Sequence, residues 1–271
     1  MIDLVDIKIY PIKSLAGISV ASAKVEPKGL ALDRRWMLVD QDGQFLSQRR
    51  DPQMALLQLE WADEQQDAVQ ISHRTRQIES LHLPLRIPDS AERIQVQIWE
   101  DRVAAIPVGI EFDTWFSQAL QKECRLVYMP ESEQRGVDPD YAQSEDTVSF
   151  ADGFPYLIAN EASLQDLNQR LDIPVTMDRF RANLIFKGAE AWAEDKWKGF
   201  RIGAVALRSL KPCARCVLIT VDPLTGEKSP EPLSTLSQFR KRGHKVLFGI
   251  NACWDTHSAD EIKVGDPVIP D

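Results

Sequence analysis

The 271 residues carry 32 Lys and Arg against 41 Asp and Glu, a formal net charge of −9. That balance argues against a nucleic-acid partner, because backbone binding needs a basic face. No apolar run reaches the ~20 residues of a membrane span. Met1-Ile2-Asp3-Leu4-Val5-Asp6 also lacks the basic start and apolar core of a signal peptide. A cytoplasmic protein without membrane attachment is expected. In that compartment four cysteines are free, catalytic or metal-bound more often than disulfide-paired.

Val5, Ile7 and Ile9 alternate with polar residues as one face of a strand. Met37-Leu38-Val39 is a second short run. Asp40-Gln41-Asp42-Gly43 after it suits a tight hairpin turn into Phe45-Leu46. Ile94, Val96 and Ile98 alternate again, so the N-terminal part predicts a barrel or sandwich of short strands. Asp113 is placed to cap a helix with Trp115, Phe116, Ala119 and Leu120 on one face. Residues 131–147 are acidic and aperiodic, and predict a long loop.

Asn160 is placed to cap a second helix bearing Leu164, Leu167 and Leu171, with Pro174 beyond its end. Leu184-Ile185-Phe186 and Val205 to Leu207 read as strands. Leu233, Leu236 and Phe239 mark a short third helix. Ile262-Lys263-Val264, a Gly265-Asp266 turn and a closing strand follow. No repeat or Gly/Ser-rich linker marks a boundary, and the domains are set at residues 1–124 and 125–271.

The densest chemistry lies in Lys211-Pro212-Cys213-Ala214-Arg215-Cys216. Val217, Ile219 and Val221 share one side of a period-two pattern, so a strand is expected to begin at Cys216. Cationic neighbours favour thiolates, which are nucleophiles and soft metal ligands. Four readings of the pair stand side by side. Structural zinc needs four ligands, and neither a second C-x-x-C nor a His pair at zinc spacing is present. A thioredoxin-like dithiol opens a helix rather than a strand. Two inert structural thiols are the bland alternative, and a single reactive or ligating thiolate, Cys216 next to Arg215, is preferred. Cys124 and Cys253 are isolated and read as buried small hydrophobes.

Cations also recur at strand ends and turns: Lys13-Ser14, Arg34, Arg49-Arg50 and Arg181. Each alone reads as a solvated charge. Together they are compatible with an anionic ligand, since Lys, Arg and Ser hold phosphate. Asp152-Gly153 reads either as a plain turn or as a ligand contact. Trp99, Trp115, Trp192, Trp197 and Trp254 read as core or domain-interface residues, and the four histidines have no partner at catalytic spacing. No P-loop or dinucleotide fingerprint occurs, and no pyridoxal phosphate site is expected.

Ordered blocks along nearly the whole chain resemble the MOSC-domain proteins, in particular the amidoxime-reducing component family. They include Tyr10-Pro11-Ile12-Lys13-Ser14, Leu32-Asp33-Arg34-Arg35-Trp36, Phe150-Ala151-Asp152-Gly153-Phe154-Pro155 and Phe180-Arg181-Ala182-Asn183. The most specific is Cys213-Ala214-Arg215-Cys216 followed by Thr220-Val221-Asp222-Pro223. The resemblance implies a mainly β (α+β) protein, an N-terminal β-barrel-like domain packed on a MOSC β-barrel domain with a few short helices. It implies the molybdenum cofactor between the two, with Cys216 ligating molybdenum. Lys13, Ser14, Arg34, Arg181, Asn183, Ala214 and Arg215 would contact the pterin and its phosphate, and Asp152 and Gly153 would line it.

The implied activity is reduction of small N-hydroxylated compounds, hydroxylamines and amidoximes, with Asp152 as a proton donor or supporting residue. The alternative is a non-catalytic cofactor or sulfur carrier. Ala182 stands where many relatives have proline, and Asn251 lies near a position that is aromatic in the mammalian proteins. The chain stops at Pro270-Asp271 without four spare cysteines for an iron–sulfur cluster. Electrons are therefore expected from a separate protein, a ferredoxin, flavodoxin or flavoprotein reductase. The acidic charge balance suggests docking against a basic patch on that donor.

Overall fold

The computed structural model describes residues 1–88, 92–143 and 145–271, so Ser144 of the expected 131–147 loop lies outside the described residues. The elements that build the site are β1 (Asp3–Ile9), β2 (Trp36–Val39), β3 (Ile94–Ile98), β4 (Asp101–Pro107), α1 (Ile110–Leu120) and β5 (Arg125–Tyr128). They continue with β6 (Tyr156–Asn160), α2 (Glu161–Asn168), β7 (Leu184–Lys187), β8 (Gly199–Ile202), β9 (Val205–Arg215), α3 (Leu233–Phe239) and β10 (Lys245–Trp254). The protein is mainly β, as expected, with short helices.

In the N-terminal part β2, β5, β4 and β3 form an antiparallel sheet in that order. β2 is buried on both faces, which its four consecutive apolar residues allow. Met37 and Val39 pack with Val96, Val103, Val127 and Phe150, while Trp36 and Leu38 join the main core. Because β5 lies in this sheet, pairing continues past residue 124.

β1 does not belong to that sheet. It pairs antiparallel with β7, Leu4 opposite Phe186 and Ile7 opposite Leu184. The main sheet runs β8-β9-β10-β6-β7-β1, with Val268–Pro270 beside β8 and Ile18–Val20 beside β1. Only β6 and β7 pair in parallel within it, and α2 lies on their crossover. The Asn160 side chain caps α2 by accepting from the Ala162 N–H at 3.0 Å, as the sequence suggests.

Two expectations are corrected. α1 starts after Gly109 and not at Asp113. Phe112 is the first residue of its buried face, which draws the start back by most of a turn. The Asp113 carboxylate instead accepts from the Leu126 N–H at 2.8 Å, tying α1 to β5. The strand at the cysteine pair precedes Cys216 and does not follow it. β9 ends at Arg215, and Val217–Thr220 is a 3₁₀ turn. Ile219 is fully buried in a cluster with Phe180 and Phe248, while Val217 is 52% exposed. The Ile219 N–H bonds the Cys216 carbonyl at 3.2 Å, and the Thr220 hydroxyl bonds the Val217 carbonyl at 2.7 Å. Local hydrogen bonding and one buried side chain thus override the β preference of this run.

β9 bends as it approaches its end. Its register with β10 shifts between Ser209 and Lys211 and again between Pro212 and Ala214. Pro212 is tolerated between these irregularities, since it has no N–H for the ladder. Gly249 opposite them has φ +75°, and a Cβ there would lie 2.7 Å from the Ile158 carbonyl oxygen. Only glycine fits that close approach.

Candidate functional site

A cavity of about 380 Å³ opens where these segments meet. Lys13 and Ser14 reach it from the turn after β1, and Arg34 from the turn before β2. Asp152 and Gly153 line it ahead of β6, and Arg181 and Asn183 ahead of β7. Ala214, Arg215 and Cys216 close it from the end of β9. All ten residues singled out in the sequence therefore border one space.

The backbone there is unusual. Eight described non-glycine residues have left-handed φ, and four of them, Ser14, Arg34, Trp99 and Arg181, line this cavity. Such conformations cost roughly 1–3 kcal/mol each and concentrate at functional sites.

Its charge is opposite to that of the whole chain. Lys13, Arg34, Arg49, Arg181, Lys211 and Arg215 all border it. The Tyr10 ring has the Arg34 guanidinium 4.3 Å and the Arg181 guanidinium 4.2 Å from its centre. Arg34 donates to Asp33 at 2.6 Å and to the Asn183 side-chain oxygen at 2.9 Å. Arg181 donates to the Leu15 carbonyl at 2.6 Å, but its buried Nη2 has no partner. Burial, then the charge of Arg34, pulls Arg181 down to about 10. One carboxylate for two stacked guanidiniums leaves a local positive excess, the condition for holding an anion.

Asp152 sits between Lys13, whose ammonium donates to it at 2.6 Å, and Arg49. Protein packed around Asp152 raises its pKa, but Lys13 and Arg49 outweigh this and hold the carboxyl well below its ordinary range. Burial pulls Lys13 down to about 8 despite the opposing pull of Asp152. Of the two roles expected for Asp152, proton donor or supporting residue, this direction favours the supporting one. A carboxylate fixed by two cations stays ionised near neutrality and acts as a clamp. Arg135, which is buried, fastens the same loop by donating to the carbonyls of Ser149, Ala151 and Asp152 at 2.9, 2.6 and 3.0 Å.

Cys216 is exposed to the cavity, with the Arg49 Nε–H donating to its Sγ at 3.1 Å. Arg215, the expected partner, turns elsewhere: its Nη1 lies 3.0 Å from Cys213 Sγ and its Nη2 donates to the Phe180 carbonyl at 2.7 Å. Successive residues on an extended chain point to opposite sides, so sequence neighbours do not share a partner. Cys124 and Cys253 are buried as expected, and burial pushes them up to about 11 and about 12.

Several site residues escaped the sequence reading. Trp99 is 41% exposed, lines the cavity and donates to Asp152 at 3.3 Å, so of its two expected places, core or domain interface, it does not take the core. The Arg49 guanidinium stacks 4.6 Å from the Trp99 ring. Lys211 lines the cavity, and it bonds Asp138 at 3.1 Å and lies 3.9 Å from the Tyr141 ring, which ties it to the segment before Ala151. Asn251 borders the cavity as well. Arg49 was legible as a cation but not as the cysteine's neighbour.

A split β protein with an anion-seeking cavity and one open thiol at its centre defines a class. The MOSC N-terminal beta barrel domain matches residues 1–123, and the MOSC domain matches residues 145–269. The chain is 34% identical over 275 residues to mitochondrial amidoxime-reducing component 1 of Mus musculus, covering 96% of this chain and 79% of that protein. It is 32% identical to the Homo sapiens protein of the same name, covering 96% and 80%. It is also 33% identical to molybdenum cofactor sulfurase of Oryza sativa subsp. japonica, over 92% of this chain but only 32% of that protein. The chain belongs to the MOSC-domain family that includes the mitochondrial amidoxime-reducing components. No helix among the described residues is long and apolar enough to cross a membrane.

Proposed function

We propose that this cavity binds the molybdenum cofactor and that the protein reduces N-hydroxylated compounds to amines or amidines. Three features of the chain fit the group. The exposed Cys216 sulfur is a soft ligand of the kind molybdenum takes. The unpartnered Nη2 of Arg181, beside Arg34, calls for an anionic oxygen. Among the described residues no three His, Cys, Asp or Glu side chains cluster as a metal site, so a metal at Cys216 would take its other ligands from the bound group.

The cofactor when bound supplies two-electron redox chemistry, and the protein supplies ligation, orientation and electrostatics. Lys13, Ser14, Arg34 and Arg181 would hold the phosphate and pterin, with Asn183 fixing Arg34. Arg49 holds the Cys216 sulfur and Asp152 in one arrangement. The net reaction takes a hydroxylamine, two electrons and two protons to an amine and water. Both electrons come from a separate carrier protein, oxidised in the process. Protons come from water at the open cavity, since Asp152 is held ionised.

The observation that carries this reading is the convergence of Cys216 and the phosphate-type cations on one space. The test is expression in a cofactor-producing host, elemental analysis, and hydroxylaminopurine reduction with a reduced viologen dye as donor. About one molybdenum per chain with turnover supports it; metal-loaded protein without turnover rejects the reductase. Cys216→Ala is expected to lose the metal, and retention would overturn the ligand assignment. The likeness to the sulfurase supports a second reading, cofactor or sulfur carriage. Transfer to an acceptor apo-enzyme without reductase turnover would favour it.

A further inference from the structure

A second basic stretch lies beside the end of β9. The short strand Lys241–Arg242 pairs with the start of β10 through a turn at Gly243, and residues 241–245, Lys-Arg-Gly-His-Lys, are all exposed. Lys241 and Lys245 have no carboxylate within ion-pair distance among the described residues. Arg242 shares the nearly buried Asp195 with Arg240. Asp138, an acid whose carboxylate feels the charge of Lys245, is held by Lys211 at 3.1 Å.

This hairpin flanks a shallow depression of about 440 Å³. Arg215, Lys241 and His244 border it with Leu233, Ser237 and Val246, and no carboxylate does. Arg215 also borders the central cavity. Arg215 is therefore common to the two spaces, and Cys216 is the next residue.

Register fixes the separation. Arg215 pairs with Val246 on β10, and Val246 pairs with Lys241. Two strand spacings place the Lys241 backbone roughly 10 Å from that of Arg215. A protein seated on the hairpin would thus sit close to the sulfur without entering the cavity.

We infer that the basic hairpin at residues 241–245 and the adjoining depression are the docking surface for an electron-carrier protein with an acidic face. The inference rests on the reductase reading, and it reverses what total charge suggests. A chain of net charge −9 repels acidic partners at long range. Local charge nonetheless decides where such a partner settles, because screening limits each interaction to about 8–10 Å at physiological salt. An acidic carrier would be turned away elsewhere and captured beside Cys216, which gives orientation as well as attraction.

The test compares the holoenzyme with a Lys241→Glu/Lys245→Glu variant, using reduced flavodoxin, an acidic flavin carrier, as the probe donor. Both residues lie outside the central cavity, so turnover driven by a reduced viologen dye is expected to be unchanged. With flavodoxin, kcat/KM in the carrier is expected to fall about tenfold or more and to lose most of its salt dependence. Binding of oxidised flavodoxin at low salt, by calorimetry, is expected to weaken in parallel. Lys241→Gln/Lys245→Gln should fall between, which guards against a misfolded variant. Equal flavodoxin binding and equal salt dependence in wild type and variant would overturn the proposal. Absence of viologen-driven turnover in the wild type would instead reject the reductase reading, and the binding comparison would still decide the docking surface.

Discussion

Arg49 and Cys216, 167 residues apart in sequence, are joined by an N–H···S contact of 3.1 Å. The same guanidinium donates to Asp152 and stacks on Trp99. Its burial works against its charge, but Asp152 and Cys216 more than restore it. One side chain from the N-terminal part therefore organises a sulfur and a carboxylate from the C-terminal part.

Arg49→Ala is expected to lower turnover and molybdenum retention by ~10- to 100-fold, the equivalent of one charge-assisted hydrogen bond of about 1.5–3 kcal/mol. Arg49→Lys keeps the charge but not the fork, and should recover only part of the loss. Elemental analysis beside steady-state rates would check both. Full metal content and rate in Arg49→Ala would refute the organising role.

Asp152→Asn removes the counter-charge of Lys13 and Arg49. The Asp152 side chain is 51% exposed, so solvent screens both ion pairs, and a loss of about 1 kcal/mol or less in urea unfolding is expected. Because the folded carboxyl has a depressed pKa, its stabilisation is complete above the unfolded value of ~4. The gap between wild type and variant should then be constant from about pH 5 to 7 and shrink as pH falls below ~4. A gap that widened in acid would contradict the clamp.

Lys13 carries its proton below about 8 and loses it above. Sulfate keeps constant charge across that range and serves as a probe of the anion site. Its affinity for the metal-free protein, measured by calorimetry, is expected to fall as pH rises through about 8. Lys13→Gln should bind weakly with no such step. A pH-independent wild type would exclude Lys13 from anion binding.

Tyr10 separates two behaviours. Tyr10→Phe keeps the ring between Arg34 and Arg181 and loses only a long bond to the Ala182 carbonyl, so about 1 kcal/mol or less is expected. Tyr10→Leu removes both guanidinium stacks, each worth about 0.5–2 kcal/mol, and leaves a void in the core. It should cost ~2–4 kcal/mol and weaken sulfate binding, whereas equal stability of the two variants would argue against the stacking.

The residues of the cavity were readable because each stands in a short block whose chemistry is local: a lysine beside a serine, an arginine after an aspartate, a cysteine beside an arginine. The partnerships among them were not. Arg215 adjoins Cys216 in sequence yet bonds Cys213, while Arg49 arrives from far away. Trp99 has the composition of a core residue, and only the turn between β3 and β4 delivers it to the cavity. The run after Cys216 carries strand-forming residues, but local hydrogen bonds to the Cys216 and Val217 carbonyls and the burial of Ile219 make it a 3₁₀ turn. Asn160 could be assigned as a cap because that bond reaches only two residues along the chain, to Ala162.

The pairing of β1 with β7 has a temporal side. Lys13 and Ser14 hang from a strand whose partner, Leu184–Lys187, leaves the ribosome much later. Until then β1 has only Ile18–Val20 beside it, and its other edge is open to chance pairing with other chains. In that interval Lys13 lacks the Phe150 carbonyl and the Asp152 carboxylate that hold it. The cavity, whose lining extends to Asn251, is therefore completed late, after synthesis of most of the protein.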